Sequence, residues 1–226
     1  MERHFHENLR SLTGRLTAMG ELVESRVRDA LAALLHRQSD LAVKVATGDA
    51  AVNELELEVD DLCIKFLALQ NPVASDLRLV RSIIKVNTDL ERVGDQAVNI
   101  AQGVIRLLSL PLLRPTFDVA RLGEAAVGML HDSLRSFVEQ DVALAQSVLG
   151  RDDEADEMRD GIFRVLLTHM MADPGVIERA LGLILVSRCL ERIADHATNI
   201  AEEVVFAVEG RVVRHGGGTV GRPVSQ

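Results

Sequence analysis

The chain has 226 residues and a formal net charge of −9, and only 3% of its residues are aromatic, with no Trp or Tyr. Abundant Leu, Ala, Val, Glu and Arg favour helices over strands. The negative charge argues against nucleic-acid binding, which needs a basic surface, and no apolar stretch is long enough to cross a membrane.

Two features of the chain predict a cytoplasmic location. The N-terminus lacks the apolar core of a signal peptide. The two cysteines, Cys63 and Cys189, show no spacing typical of a disulfide framework or a thiolate metal site. They fit a reduced compartment.

The five prolines all fall between long periodic segments, as continuous helices require. Six helices are predicted, in chain order, at residues 7–37, 40–69, 75–109, 117–139, 142–171 and 175–210. Their short connections predict an all-α fold of two tandem antiparallel three-helix bundles related by an internal repeat. We expect the first bundle at residues 1–110, the second at 116–212 and a disordered tail at 213–226.

The third and sixth predicted helices contain the same motif, one hundred residues apart. Residues 90–101 read LERVGDQAVNIA, and residues 190–201 read LERIADHATNIA. Eight of the twelve positions are identical, including Glu, Arg, Asp and Asn. A packing repeat needs only apolar periodicity, so the identical polar residues predict a function that is present in both halves. A weaker correspondence aligns residues 52–55 with 155–158.

The polar residues of each motif fall on one helix face, beside the apolar stripe. They are Glu91, Asp95 and Asn99 in the first copy and Glu191, Asp195 and Asn199 in the second. Carboxylates four residues apart repel each other by about 0.2–0.5 kcal/mol, so each pair needs a compensating cation.

That cation is either a side chain or a metal ion. Arg92 and Arg192 each precede the Asp by three residues, which leaves a plain salt-bridge ladder open. Carboxylate and amide oxygens equally suit iron, manganese, magnesium or calcium. Asp29 and Asp132 lie at matching positions of the first helix in each half, which makes them the first candidates to complete two metal sites.

No catalytic residues are predicted. Neither motif is accompanied by the Glu-x-x-His pair of di-iron bundles, and the sequence contains no phosphate-binding glycine loop and no visible nucleophile–base pair. We therefore expect a protein that is not an enzyme. A metal-dependent hydrolase or metal-storage bundle that uses the same carboxylates stays open as the alternative, and a purely structural bundle leaves the polar identities unexplained.

The two motifs resemble the paired signature of the PhoU family, accessory proteins of bacterial phosphate-specific transport. Residues 70–78 (QNPVASDLR) and 170–174 (MMADP) resemble the helix junctions of that family, and the similarity runs from about residue 5 to 215. The resemblance implies a PhoU-like pair of three-helix bundles that is cytoplasmic and a homodimer. It also implies that the metal, where present, is a multinuclear iron or zinc cluster at the E-x-x-x-D motifs, which some members hold.

The resemblance further implies negative regulation of the phosphate-starvation response. In this picture the protein is an adaptor between the ATPase of a phosphate ABC transporter and a membrane sensor histidine kinase. It would be peripheral to the membrane only through these partners.

Overall fold

The computed structural model describes residues 2–70, 72–113 and 116–213. These residues form eight α-helices and no strand, which confirms the all-α prediction. In chain order the helices are α1 (Glu2–His36), α2 (Ser39–Thr47), α3 (Ala50–Gln70), α4 (Ala74–Leu108), α5 (Thr116–Glu139), α6 (Val142–Leu149), α7 (Asp152–Ala172) and α8 (Ile177–Glu209). Of the predicted tail, residues 214–226 lie outside the described residues. No described helix is both long and apolar enough to span a lipid bilayer.

The helices form two bundles of similar design. Helices α1, α2 and α3 pack against α4 in the first half, and α5, α6 and α7 pack against α8 in the second. Helices α4 and α8 share the most extensive contact and join the two halves. The apolar residues of the repeated motif are fully buried there: Leu90, Val93, Ala97, Ile100, Leu190, Ile193, Ala197 and Ile200. The apolar half of the repeat therefore builds the centre of the core.

Helices α4 and α8 run antiparallel and cross near the repeated motif. The Ser82 hydroxyl donates to Glu203 over 2.8 Å near one end of the contact. Near the other end, Gly182 of α8 packs closely against Leu107 of α4, since a Cβ added at Gly182 would lie 2.7 Å from a Leu107 methyl group. The first part of α4 therefore contacts the last part of α8, and the last part of α4 contacts the first part of α8. In the sequence repeat, residue n of α4 is equivalent to residue n + 100 of α8.

The middle helix of each half is broken, so the predicted continuous helices 40–69 and 142–171 are wrong in this respect. Helix α2 ends at Thr47, and Arg26 of α1 donates to the carbonyl oxygens of Val45, at 2.9 Å, and of Gly48. Helix α6 ends before Gly150, whose N–H still bonds to an α6 carbonyl oxygen. Carbonyl groups at the end of a helix need hydrogen-bond donors from elsewhere. At the first break, Arg26, which is distant in the sequence, is that donor.

Candidate functional site

In the first half, carboxylates from two helices and the α2–α3 break gather beside the motif. This first acidic cluster consists of Glu91 and Asp95 of α4, Glu56 of α3 and Asp49 at the break. The pKa of Glu91 is raised, first by partial burial and then by the charges of Asp95 and Glu56. Asp49 adds to the rise, whereas Arg92 opposes it. The cluster therefore holds mutually repelling negative charges that favour a proton or another cation.

The second half contains an equivalent group. This second acidic cluster consists of Glu191 and Asp195 of α8 with Asp152 and Asp156 of α7. Desolvation by the surrounding protein is the main cause that raises the pKa of Asp195, followed by the charges of Asp152 and Asp156. The pKa of Glu191 is raised by burial first and by Asp195 second. Glu and Asp of each motif thus lie close together, as their spacing on one helix face requires, and their role as metal ligands stays a prediction.

The two clusters place their arginines differently. Arg159 of α7 lies 3.6 Å from Glu191 and 3.1 Å from Asp156, and it lowers the pKa of Glu191. The alignment of residues 52–55 with 155–158, extended by one residue, places Glu56 opposite Arg159. The second cluster thus has an arginine where the first has a further carboxylate, and the arginine of the first cluster is Arg26 of α1, which lies 3.7 Å from Asp49.

Asp29 and Asp132 have basic partners of their own. Asp29 Oδ2 lies 3.4 Å from Lys44 Nζ, and Asp132 Oδ2 lies 2.9 Å from Arg151 Nη1. Neither aspartate is among the charges that shift the pKa of Glu91, Glu191 or Asp195. Their role as metal ligands stays a prediction.

The side chains of Asn99 and Asn199 lie near residues that do not belong to the acidic clusters. Asn99 lines a cleft between α4 and α8 that also contains Arg188 and Arg192. Asn199 Nδ2 donates to Asp89 Oδ1 over 3.2 Å on the equivalent part of the same helix pair. A positively charged surrounding is unfavourable for a cation at Asn99. Their predicted role as metal ligands is likewise untested.

Four of the clustered residues were missed by sequence reasoning: Asp49, Glu56, Asp152 and Asp156. The weaker correspondence between residues 52–55 and 155–158 is the signal that could have pointed to this region, because it includes Asp156 and places the identical residues Asp49 and Asp152 at equivalent positions, three residues before each segment. In the described part of the chain, no three or more His, Cys, Asp or Glu side chains are arranged ready to hold a metal ion. Cation binding would therefore require these side chains to reorient.

Comparison with known proteins matches both halves to one family. The family model of the PhoU domain matches residues 16–104 and again residues 119–204. The phosphate-specific transport system accessory protein PhoU homolog of Pseudomonas putida is 41% identical over 218 residues, which is 96% of this chain and 85% of the relative. The PhoU protein of Serratia marcescens is 38% identical over 95% of this chain and 88% of its own length.

Solved structures show the same architecture. The crystal structure of PhoU from Pseudomonas aeruginosa has a TM-score of 0.88 at 40% identity and covers 91% of this chain and 99% of its own. The phosphate transport system regulatory protein PhoU from Streptococcus pneumoniae has a TM-score of 0.86 at 29% identity, covering 93% and 99% of the two chains. From the doubled family match and these relatives, the chain belongs to the PhoU family.

Proposed function

We propose that this protein regulates phosphate uptake as an accessory protein of a phosphate-specific transport system, and that it represses the phosphate-starvation response. The observation that carries the proposal is the family match in both halves, together with relatives that bear this name over nearly the whole chain. Relatives of this kind are named as accessory or regulatory proteins. Regulation by binding needs no catalytic residue, so we assign no enzymatic activity to the chain.

We further propose that it acts as a cytoplasmic adaptor that binds the transporter ATPase and a sensor histidine kinase. Exposed apolar side chains on equivalent helices support this role. Helix α3 exposes Ile64 and 75% of Leu69, and α7 exposes Leu167 and 80% of Met171. Exposed apolar groups on a helix are typical of docking surfaces for other proteins. The repeat supplies two such surfaces, which suits two partners or a second copy of the chain in a homodimer.

Variants of these surfaces test the adaptor role. Leu69→Glu on α3 and Met171→Glu on α7 should each reduce co-purification of the ATPase or the kinase with the full-length protein, because a buried charge opposes apolar contact. Asp61→Lys on α3 is a control that changes the charge of the helix without replacing an exposed apolar residue. It also removes the surface ion pair with Lys65, which contributes little to stability. If both apolar variants retained the two partners at wild-type levels and unchanged melting temperatures, these surfaces would not be the docking sites.

We also propose that a cation tunes the adaptor at the acidic clusters. The donor set fits a hard or borderline ion such as iron, manganese or zinc, since it consists of carboxylates that repel one another. Glu91 and Asp95 would hold the ion in the first half with Glu56 and Asp49, and Glu191 and Asp195 would hold one in the second. The ion would neutralise the cluster and fix α3 against α4. Elemental analysis of protein purified without chelator tests this, and absence of metal would contradict it.

Phosphate uptake provides the test of the main proposal. Deletion of the gene should leave uptake high in phosphate-rich medium, because the transport system would lose its regulator. Uptake of labelled phosphate should fall again when the wild-type chain is restored. Uptake that responds to phosphate equally well with and without the protein would contradict the proposal.

A further inference from the structure

One face of the α4–α8 pair contains two clefts that the internal repeat makes equivalent. The basic cleft, of about 250 Å³, is lined by Gln96, Asn99 and Arg106 of α4 and by Arg188, Cys189 and Arg192 of α8. The acidic cleft, of about 380 Å³, is lined by Lys85, Asp89, Asn199, Glu202 and Glu203. Both are several times larger than the volume of a water molecule, which is about 30 Å³ in the liquid.

The residues that the repeat makes equivalent in the two clefts differ mainly in charge. Asn99 and Asn199 are equivalent and identical, whereas Cys189 takes the position of Asp89. The carboxylates Glu202 and Glu203 correspond to neutral residues at 102 and 103. Every carboxylate of the acidic cleft therefore has a neutral residue at its equivalent in the basic cleft.

The groups of the acidic cleft pair with one another or with neighbouring side chains. Asp89 Oδ1 lies 2.8 Å from His196 Nδ1 and accepts a bond from Asn199. Glu203 Oε2 accepts from Arg81 over 2.6 Å and from Ser82 over 2.8 Å. This cleft needs no external ion to balance these two carboxylates.

The basic cleft lacks such internal partners. Arg106, Arg188 and Arg192 form no ion pair with any carboxylate in the part of the chain that the structure describes. Burial raises the pKa of the Cys189 thiol, an effect that Arg192 and Arg188 oppose, so this thiol stays neutral near pH 7. The cleft consequently concentrates positive charge on a protein whose net charge is −9.

Gln96 adds a neutral amide to the basic cleft. The residue is only 7% exposed, it lines the cleft, and its side chain makes no hydrogen bond to another described residue. At the equivalent position, His196 is paired with Asp89. The amide of Gln96 keeps contact with the solvent of the cleft, where an oxygen-bearing ligand would accept from its NH₂ group.

We propose that the basic cleft binds a phosphate-type oxyanion, either inorganic phosphate or the phosphate group of a small ester. Arginine donors match the oxygens of such an anion and can bond to it in pairs. A phosphate group carries close to two negative charges at neutral pH, which suits a site of three cations better than a monovalent anion does. Gln96 and Asn99 add neutral donors that orient the oxygens. Anion binding here does not depend on the adaptor role proposed above.

Calorimetric titration of the full-length chain with inorganic phosphate tests the site, at constant ionic strength set by chloride. A parallel titration uses glycerol 3-phosphate. Saturable binding of the inorganic ion assigns the cleft to free phosphate, and binding of the ester alone assigns it to phosphate esters. Either result supports the site. Failure of both anions to bind would overturn it and would leave the proposed regulatory function standing.

Three variants distinguish specific anion binding in the basic cleft from a general effect of the protein's net charge. Arg188→Gln with Arg192→Gln should weaken binding by about tenfold or more, since two charge-assisted hydrogen-bond donors are lost. Arg92→Gln is the matched control, because Arg92 is the repeat equivalent of Arg192 but does not line the cleft. Gln96→Leu should weaken binding less and leave the charge unchanged. Wild-type affinity in the double arginine variant, at an unchanged melting temperature, would also overturn the proposal.

Discussion

Arg159 lies 3.6 Å from Glu191 in the second half, and the first half has Glu56 at the position of this arginine. The two acidic clusters therefore have the same carboxylate pair on their central helices but opposite charges at this one position of their middle helices. An arginine partly neutralises each cluster, but Arg159 pairs with Glu191 of the central helix, whereas Arg26 lies 3.7 Å from Asp49 at the α2–α3 break. Glu91 and Asp95 form no ion pair among the described residues, so they depend more strongly on a proton or an external cation.

Replacing Arg159 should make the second cluster resemble the first. We expect Arg159→Glu to increase Mn²⁺ binding and, in the presence of chelator, to lower the free energy of unfolding by about 1 kcal/mol because its ion pairs are lost. Arg164→Glu, the same change at an exposed position of α7, is the control. Equal Mn²⁺ binding by the two variants in calorimetric titrations would show that Arg159 does not act as the internal counter-charge.

The raised pKa of Glu91 predicts a pH-dependent effect on stability. The pKa is higher in the folded than in the unfolded chain, so the folded state binds the additional proton, and the wild type loses stability as pH rises through that folded pKa. Without metal, Glu91→Gln should therefore stabilise the protein near neutral pH by about 0.2–0.5 kcal/mol. The gain should vanish at acidic pH, where Glu91 is protonated.

Urea denaturation across this pH range measures the difference. Glu157→Gln, which removes an exposed carboxylate of α7, serves as the control and should show no comparable pH dependence. A stability difference for Glu91→Gln that stays constant from acidic to neutral pH would contradict the assigned repulsion.

The Asp89–His196 pair should contribute to the contact between the halves. Asp89→Ala removes the acceptor for His196 and Asn199, two bonds of 2.8 and 3.2 Å. We expect a loss of about 1 kcal/mol in the free energy of unfolding, because the largely buried His196 loses its partner, whereas the exposed Asn199 can bond to water instead. Thr88→Ala, at the neighbouring exposed position, is the control. If the two variants had the same free energy of unfolding in chemical denaturation, the contact between the halves would rest on apolar packing alone.

The long helices and the repeated motif could be predicted because their signals are local. The apolar positions of α4 recur at helical spacing, so Leu90, Val93 and Ala97 indicate one buried stripe. The break after Thr47 was missed, because the carbonyl oxygens that it frees are bound by Arg26 from another helix. Periodicity within one segment carries no information about such a partner.

The candidate site was predicted only in part for the same reason. The Glu–Asp spacing places Glu91 beside Asp95 on one helix face, as the structure has it. Which side chains of other helices join them depends on packing. Asp29 lies 3.4 Å from Lys44 Nζ and its role as a ligand stays a prediction, while Glu56 of α3 lies close enough to raise the pKa of Glu91.

The activity of a phosphate-starvation promoter in phosphate-rich medium tests the central claim most directly. Deletion of this gene should raise the promoter to its starvation level, and a second deletion that removes the sensor histidine kinase should silence it again. Restoring the wild-type chain should repress the promoter in the single mutant. A promoter that remains repressed after the single deletion would contradict the assignment of this protein as a negative regulator of the phosphate response.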